Sequence, residues 1–214
     1  MTQVESRWTR LSKEHLEGEV RPGIHAHLVS PKLWHQSFAR LKPQCFPDTA
    51  RIKLPQETQV PLAGEIEKMV KSFEHHLVLT ESPQPPQDAG EAIGVYTGYH
   101  AQGRLYWMFT SAVAPSHQRK GIYAALLNAV MGYGKAAGVS ALLSQHRADN
   151  NPILIAKLKA GFLISSFKIS GPGLTVELAL PLRAGLEQAH RFRVKAETEL
   201  AQMLRSKMLE VDDV

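Results

Sequence analysis

Cysteine is almost missing from this chain. Cys45 is the single one among 214 residues, so no internal disulfide can form, which fits a reducing compartment. No apolar run approaches the ~18 residues that a membrane-spanning helix needs. The first residues, Met-Thr-Gln-Val-Glu-Ser-Arg-Trp, lack the apolar centre of a secretion signal. The expectation is a cytoplasmic protein with no membrane partner. Zinc-type Cys/His spacing, a Walker loop, heptads and internal repeats are also missing, so no metal is expected. Lysine and arginine number 25 against 20 acidic residues, for a net charge of +5. These cations are scattered among acidic neighbours, with no basic face or aromatic platform, so nucleic acid is not the expected partner. A modest surplus of this kind suits an anionic small ligand.

What is present is ordinary for a soluble globular protein: 43% hydrophobic and 21% charged residues. The length allows one domain with a real core plus extensions. Residues 1–22 are polar and mixed in charge, and Arg21-Pro22-Gly23 reads as a turn. Ile24 to Val29 alternates as a strand. Ser30-Pro31 starts a helix with apolar Leu33, Trp34, Phe38 and Leu41 on one face. Residues 42–61 carry four prolines and read as an irregular connection. A helix is expected from about Leu62 to His75, a strand from His76 to Thr80, and a Pro-rich surface linker from Ser82 to Gly90.

Two strands follow, Ala92–His100 and Arg104–Ala114, joined by a turn at Ala101-Gln-Gly103 and read as antiparallel. A helix runs from Gly121 to Ala137 and stops at Gly138. Ala141–His146 is the next strand. Asn151-Pro152 opens a helix with Asn as its cap. Phe162–Ser170 and Leu174–Leu180 form a closing hairpin. From Arg183 onward apolar residues recur at helical spacing and charges balance. That tail reads as a helix packed on its own domain, or as a contact between two copies, which a sheet edge also offers.

The stretch around which the rest is organised is Val113-Ala-Pro-Ser-His-Gln-Arg-Lys-Gly-Ile-Tyr123. Pro115 ends a strand because proline cannot donate to a ladder. A short basic loop, Gly121 and a helix start follow. The first amides of a helix lack partners and attract an anion, and Arg119 and Lys120 add charge beside them. Val113, Pro115, Gln118 and Gly121 match the acyl-CoA-binding pattern Val-x-Pro-x-x-Gln/Arg-x-x-Gly-x-Gly/Ala, except that Tyr123 stands at the last small position. Downstream, Asn150-Asn-Pro to Gly161-Phe162 matches a second pattern, in the expected order. On these residues, which cover about 92–180, the chain resembles the GNAT family, the N-acetyltransferases related to Gcn5.

The resemblance implies a mixed α/β (α+β) fold, with a central sheet of about six to seven strands flanked by helices and an extra C-terminal helix. It implies one domain over residues 1–182, with a motif core at 92–180, an acceptor-side region at 1–80, and a helical extension at 183–214. It implies transfer of an acyl group, most simply acetyl, from acetyl-CoA or another acyl-CoA to a primary amine of a small molecule, peptide or protein, through a tetrahedral intermediate. A longer acyl donor, or a CoA-binding member without turnover, is the other reading. Phe109, Ser111, Ala112 and Val113 would offer the strand backbone to the thioester. The amides of Gln118, Arg119, Lys120, Gly121, Ile122, Tyr123 and Ala124 would hold the pyrophosphate. Asn150 and Asn151 would lie near the pantetheine. Many members carry a Tyr four residues before the Gly of Gly-Phe, to protonate the leaving thiolate. Lys157 stands there and reads as a solvated helix lysine, or as a cation reaching a phosphate or the sulfur. His146 is the first candidate base, with Ser144, Glu177 and His100 behind it. His117 would assist the phosphates or face solvent.

Overall fold

The computed structural model describes residues 7–46, 68–170 and 173–183. The elements are α1 (Arg7–Leu16), β1 (Gly18–Arg21), β2 (Ile24–Leu28), α2 (Pro31–Cys45), β3 (His75–Thr80), β4 (Gly94–Ala101), β5 (Leu105–Val113), α3 (Ile122–Ala136), β6 (Ala141–Arg147), α4 (Asn151–Lys159), β7 (Leu163–Ser170) and β8 (Gly173–Pro181). They build one sheet in the order β1-β2-β3-β4-β5-β6-β8-β7. All neighbours are antiparallel except β5 and β6, which run parallel. The sheet therefore has eight strands, one more than the seven the sequence predicts. The addition is β1, four residues almost wholly exposed, so no apolar alternation marks it.

Each face of the sheet buries its own cluster. One joins Leu16, Leu77, Leu79, Tyr96, Tyr106, Met108, Leu126, Tyr133, Leu142, Phe162 and Leu178, under α1, α3 and α4. The other joins Trp34, Leu41, Phe73, Val78, Val95 and Ala112, under α2. Helix α2 starts as expected, with Ser30 Oγ accepting from Leu33 N–H at 3.3 Å and Pro31 in its first turn. It runs past residue 42 to Cys45, through Pro43. A proline in the last turn removes few helix bonds, and Phe46 N–H closes the end on Lys42 O at 2.9 Å. Of the helix expected over 62–75, residues 68–71 are helical and His75 already belongs to β3, while 62–67 lie outside the described residues. Helix α4 begins at Asn151, so the cap is Asn150, and its side chain makes no capping bond. The hairpin turn at 171–172 and the expected helix from residue 184 also lie outside the described residues.

Helix α1 packs on α3 and β2 and seals the far end of the sheet through a buried histidine. Ser12 Oγ donates to Trp8 O at 2.8 Å, so it accepts from His75 Nε2–H at 2.7 Å. His75 Nδ1 then accepts from the Tyr106 hydroxyl at 2.8 Å. Burial, with His100 and His76 nearby, lowers the His75 pKa to about 3. The unfolded chain takes up this proton near 6.5 and the folded chain only near 3. The contribution is therefore complete above pH 6.5 and is lost as pH falls through that window. At pH 5 the loss from His75 alone is about 2 kcal/mol. Urea midpoints of the wild type and His75→Gln between pH 7 and 5 check this. The variant should be less stable at pH 7 and show a shallower fall. An unchanged slope would contradict the assignment.

Candidate active site

Parallel pairing between β5 and β6 is short. It joins Leu105, Tyr106 and Trp107 to Ala141, Leu142 and Leu143, and no further residues. Beyond it the strands part, while β5 stays paired to β4 and β6 to β8. The facing edges from Met108 and Ser144 onward thus carry backbone groups with no sheet partner. A register shift opposite Thr97 and Gly98 leaves one extra residue in β5, at Phe109, just where the seam opens. Such bulges re-aim side chains and end pairing. Ala114 N–H donates to Ile93 O at 2.8 Å, on the β4 side. By strand alternation the N–H of Ala112 also points to β4, and those of Ser111 and Val113 point into the seam.

Polar side chains around the seam lack partners. Ser144 Oγ, His146 Nε2 and Tyr123 Oη are buried without a hydrogen bond. The Tyr123 hydroxyl faces Ser111 but closes no bond of proper geometry, and its ring packs on the larger cluster. Ser144 and His146 share a sheet face with Leu142, the face of α3 and α4. Burial, and the charge of Lys157, lower the His146 pKa to about 4, so its imidazole is neutral near pH 7 and able to accept a proton.

Lys157 is not a solvated helix lysine. Its residue is 1% exposed. The ammonium lies 2.9 Å from Met108 Sδ and 4.2 Å over the Phe162 ring. Burial lowers its pKa to about 7.

The loop after β5 has the features of an anion cradle. Arg119 and Gly121 both have positive φ, 60° and 77°, an arrangement that turns successive N–H groups to one side. Helix bonding in α3 begins with Ala125 N–H to Gly121 O at 3.0 Å. The amides of Ile122, Tyr123 and Ala124 therefore precede the ladder. The Gln118 amide already bonds Pro115 O at 3.3 Å, and its side chain donates to Val113 O at 2.9 Å, so Gln118 braces the loop instead of offering its amide. The Ile122 side chain is core, and Lys120 and Ala124 are exposed. One cation comes from outside the motif: the Arg21 guanidinium of β1 occupies the place a Cβ on Gly121 would take.

Other expected residues lie elsewhere. Glu177 pairs with Gln145 in the ladder, on the sheet face opposite Ser144 and His146, and ion-pairs with Lys168 at 2.5 Å. His100 sits at the far end, 2.7 Å from the Tyr133 hydroxyl. His117 Nε2 lies 3.1 Å from Glu81 Oε1, directed at a carboxylate. Ala112 is buried on the α2 face, and Phe109 packs against Phe73 on that face. Asn150 and Asn151 are exposed at the start of α4. A cavity of about 880 Å³ does open at the far end, lined by Trp8, Glu74, His75, His100 and Tyr133 among others. There the imidazoles and hydroxyls bond one another, whereas at the seam they are left over. The unpaired Ser144, His146 and Tyr123 groups make the seam the candidate site; Trp34 Nε1, Ser37 Oγ and Ser166 Oγ are also unpaired, but on α2 and β7. No cluster of metal-ligating side chains occurs among the described residues.

Sequence reading missed Arg21, because β1 carries no periodic signal, and misjudged Lys157, because α4 is apolar all round. In α4 Ile155 and Leu158 are exposed while the lysine between them is buried.

Comparison with known proteins agrees with this geometry. The model of the acetyltransferase (GNAT) family matches residues 34–162. Many solved structures share the fold. The ribosomal-protein-S18-alanine N-acetyltransferase of Escherichia coli superposes with a TM-score of 0.54 at 18% identity, covering 76% of this chain and 96% of its own. The IAA acetyltransferase of Bacillus cereus gives 0.55 at 18%, over 74% and 99%. Ard1 of Thermoplasma volcanium gives 0.56 at 16%, over 75% and 99%. No curated protein sequence matches the chain. The family match spans more than half of the chain, and the chain belongs to the GNAT family of acetyltransferases, enzymes of the acyltransferase class.

Proposed function

We propose that this protein transfers an acetyl group from acetyl-CoA to a primary amine of a small molecule, peptide or protein. The parting of β5 and β6 carries the reading, because it is a slot between two strands with free backbone on both edges. The pantetheine would run in that slot past Asn150 and Asn151. The pyrophosphate would meet the amides of residues 119–124, with Arg21, Arg119 and Lys120 supplying charge. The region 1–80 would wall the acceptor side.

Chemistry at the thioester needs three things: orientation, a place for the oxyanion, and proton movement. The seam-facing N–H groups of Ser111 and Val113 would hold the carbonyl. Neutral His146 would accept a proton from the acceptor ammonium. Ser144 would position the pantetheine or the attacking nitrogen through its unpaired hydroxyl.

The test is a thermal-shift panel with CoA, acetyl-CoA and longer acyl-CoAs, followed by acceptor-dependent release of CoA thiol. A ligand at about 100 times its dissociation constant adds about 2.7 kcal/mol. For a chain of this size that is roughly 5–10 °C. Acetyl-CoA should shift the midpoint and an amine should accelerate thiol release. A larger shift with a longer acyl-CoA would rename the donor. Binding with no amine-dependent release would make the protein a CoA binder without turnover. No shift with any CoA ester would overturn the reading.

A further inference from the structure

Lys157 is a buried cation without an anion. From the second turn of α4 its ammonium touches Met108 Sδ, on the first β5 residue beyond the pairing. Phe162 lies beneath it. Among the described residues no carboxylate pairs with it, and the titratable group whose pKa its charge lowers, His146 of β6, is itself basic. Glu177 faces the other side of the sheet. A thioether is the weakest acceptor among polar side chains, and an ammonium has three donors to place. Leaving such a group in a core is costly unless a ligand completes it.

We propose that Lys157 completes its coordination on the sulfur of the donor, and that it protonates the thiolate as CoA leaves. The inference rests on the acyl-CoA reading above. The acceptor nitrogen bonds to the acyl carbon, the C–S bond breaks, and its electron pair stays on sulfur. A proton passes from Lys157 Nζ to that sulfur, giving free CoA thiol and a neutral amine. The proton shed by the acceptor nitrogen restores the ammonium, so charge and atoms balance over one turnover. Two observations favour sulfur as the target. The ammonium already rests on a sulfur atom, and its lowered pKa lies just below that of an ordinary thiol, about 8.5. Transfer to a thiolate is then downhill, while the amine is easily recharged near pH 7. A phenol at this position would stay protonated throughout, so a lysine makes the site sensitive to pH where a tyrosine would not.

The probe is CoA itself, so no acceptor need be known. CoA and desulfo-CoA are titrated calorimetrically into the wild type and Lys157→Met, and the thiolate absorbance of bound CoA is followed against pH. In the wild type the bound thiol should ionise about one pH unit below its value in Lys157→Met but no lower than Lys157 itself, so that transfer from the ammonium stays downhill. CoA should then bind roughly tenfold more tightly than desulfo-CoA near the pKa of free CoA. In Lys157→Met the thiol should ionise no lower than free CoA and the sulfur preference should vanish, with desulfo-CoA affinity unchanged. If both ligands bind and the thiol ionises alike in both proteins, the role of Lys157 falls and the acyl-CoA reading stands. If neither ligand binds the wild type, both fall together.

Discussion

Lys157→Met should make the protein more stable by about 3–5 kcal/mol at pH 7. The unfolded lysine ionises near 10.5, while the folded one, 1% exposed, ionises near 7. Each pH unit between those values is worth about 1.4 kcal/mol. The unfolded chain holds a proton there that the folded chain lacks, so the penalty is complete at and below pH 7. It fades as pH rises towards 10.5. Methionine is close to lysine in length and suits the sulfur and ring surroundings of Met108 and Phe162. Most of the penalty should therefore be recovered, about 10 °C in the unfolding midpoint. The gap between variant and wild type should narrow to roughly 2 kcal/mol by pH 9. Denaturant titrations at pH 7 and 9 decide the matter. Equal stability at pH 7 would mean that the charge has a partner, and a gap indifferent to pH would mean that packing alone is involved. A substitution that stabilises and at the same time removes a sulfur preference is the mark of a strained functional group.

The second large effect is expected at Gly121. Its φ of 77° is one that aspartate and asparagine adopt at modest cost, about 1 kcal/mol. The added side chain meets the tip of Arg21, a flexible group that can move aside. Gly121→Asn should therefore fold and lose CoA affinity only modestly, roughly tenfold or less. Gly121→Asp has the same shape but places a carboxylate among the amides proposed for the pyrophosphate. Like charges a few ångströms apart near a surface repel by a few kcal/mol. CoA affinity should fall by about 100-fold, a loss of ~2.7 kcal/mol. Calorimetry on the three proteins separates charge from shape. Equal affinities for Asn and Asp would move the phosphates away from this loop.

Much of the architecture is written locally. Ser30-Pro31, the Ala101-Gln-Gly103 turn, the strand end at Pro115, the helix start at Gly121 and the helix stop at Gly138 are each set by one or two residues whose backbone chemistry permits little else. That is why the strands from β2 to β8 and the helices α2, α3 and α4 were legible, and why the motif loop could be identified. Short polar β1 and charged α1 gave no such signal. Their residues are held by what they pack on: Leu16 in the larger cluster, Ser12 on His75, and Arg21 over Gly121.

Sequence by itself determined the class of the fold, the order of its elements from β2 to β8 and the position of the loop proposed for the phosphates, because propensity, proline and glycine act over a few residues. Tertiary structure alone decided which side chains meet. Strand pairing put Glu177 on one face of the sheet and Ser144 with His146 on the other. The bulge at Phe109 and the short ladder between β5 and β6 opened the seam. The packing of α4 against β5 and Phe162 stripped Lys157 of water. A lysine is the same letter in solvent and in a core, and only the surroundings decide whether it carries a charge, what partner it needs and what it can do with a proton.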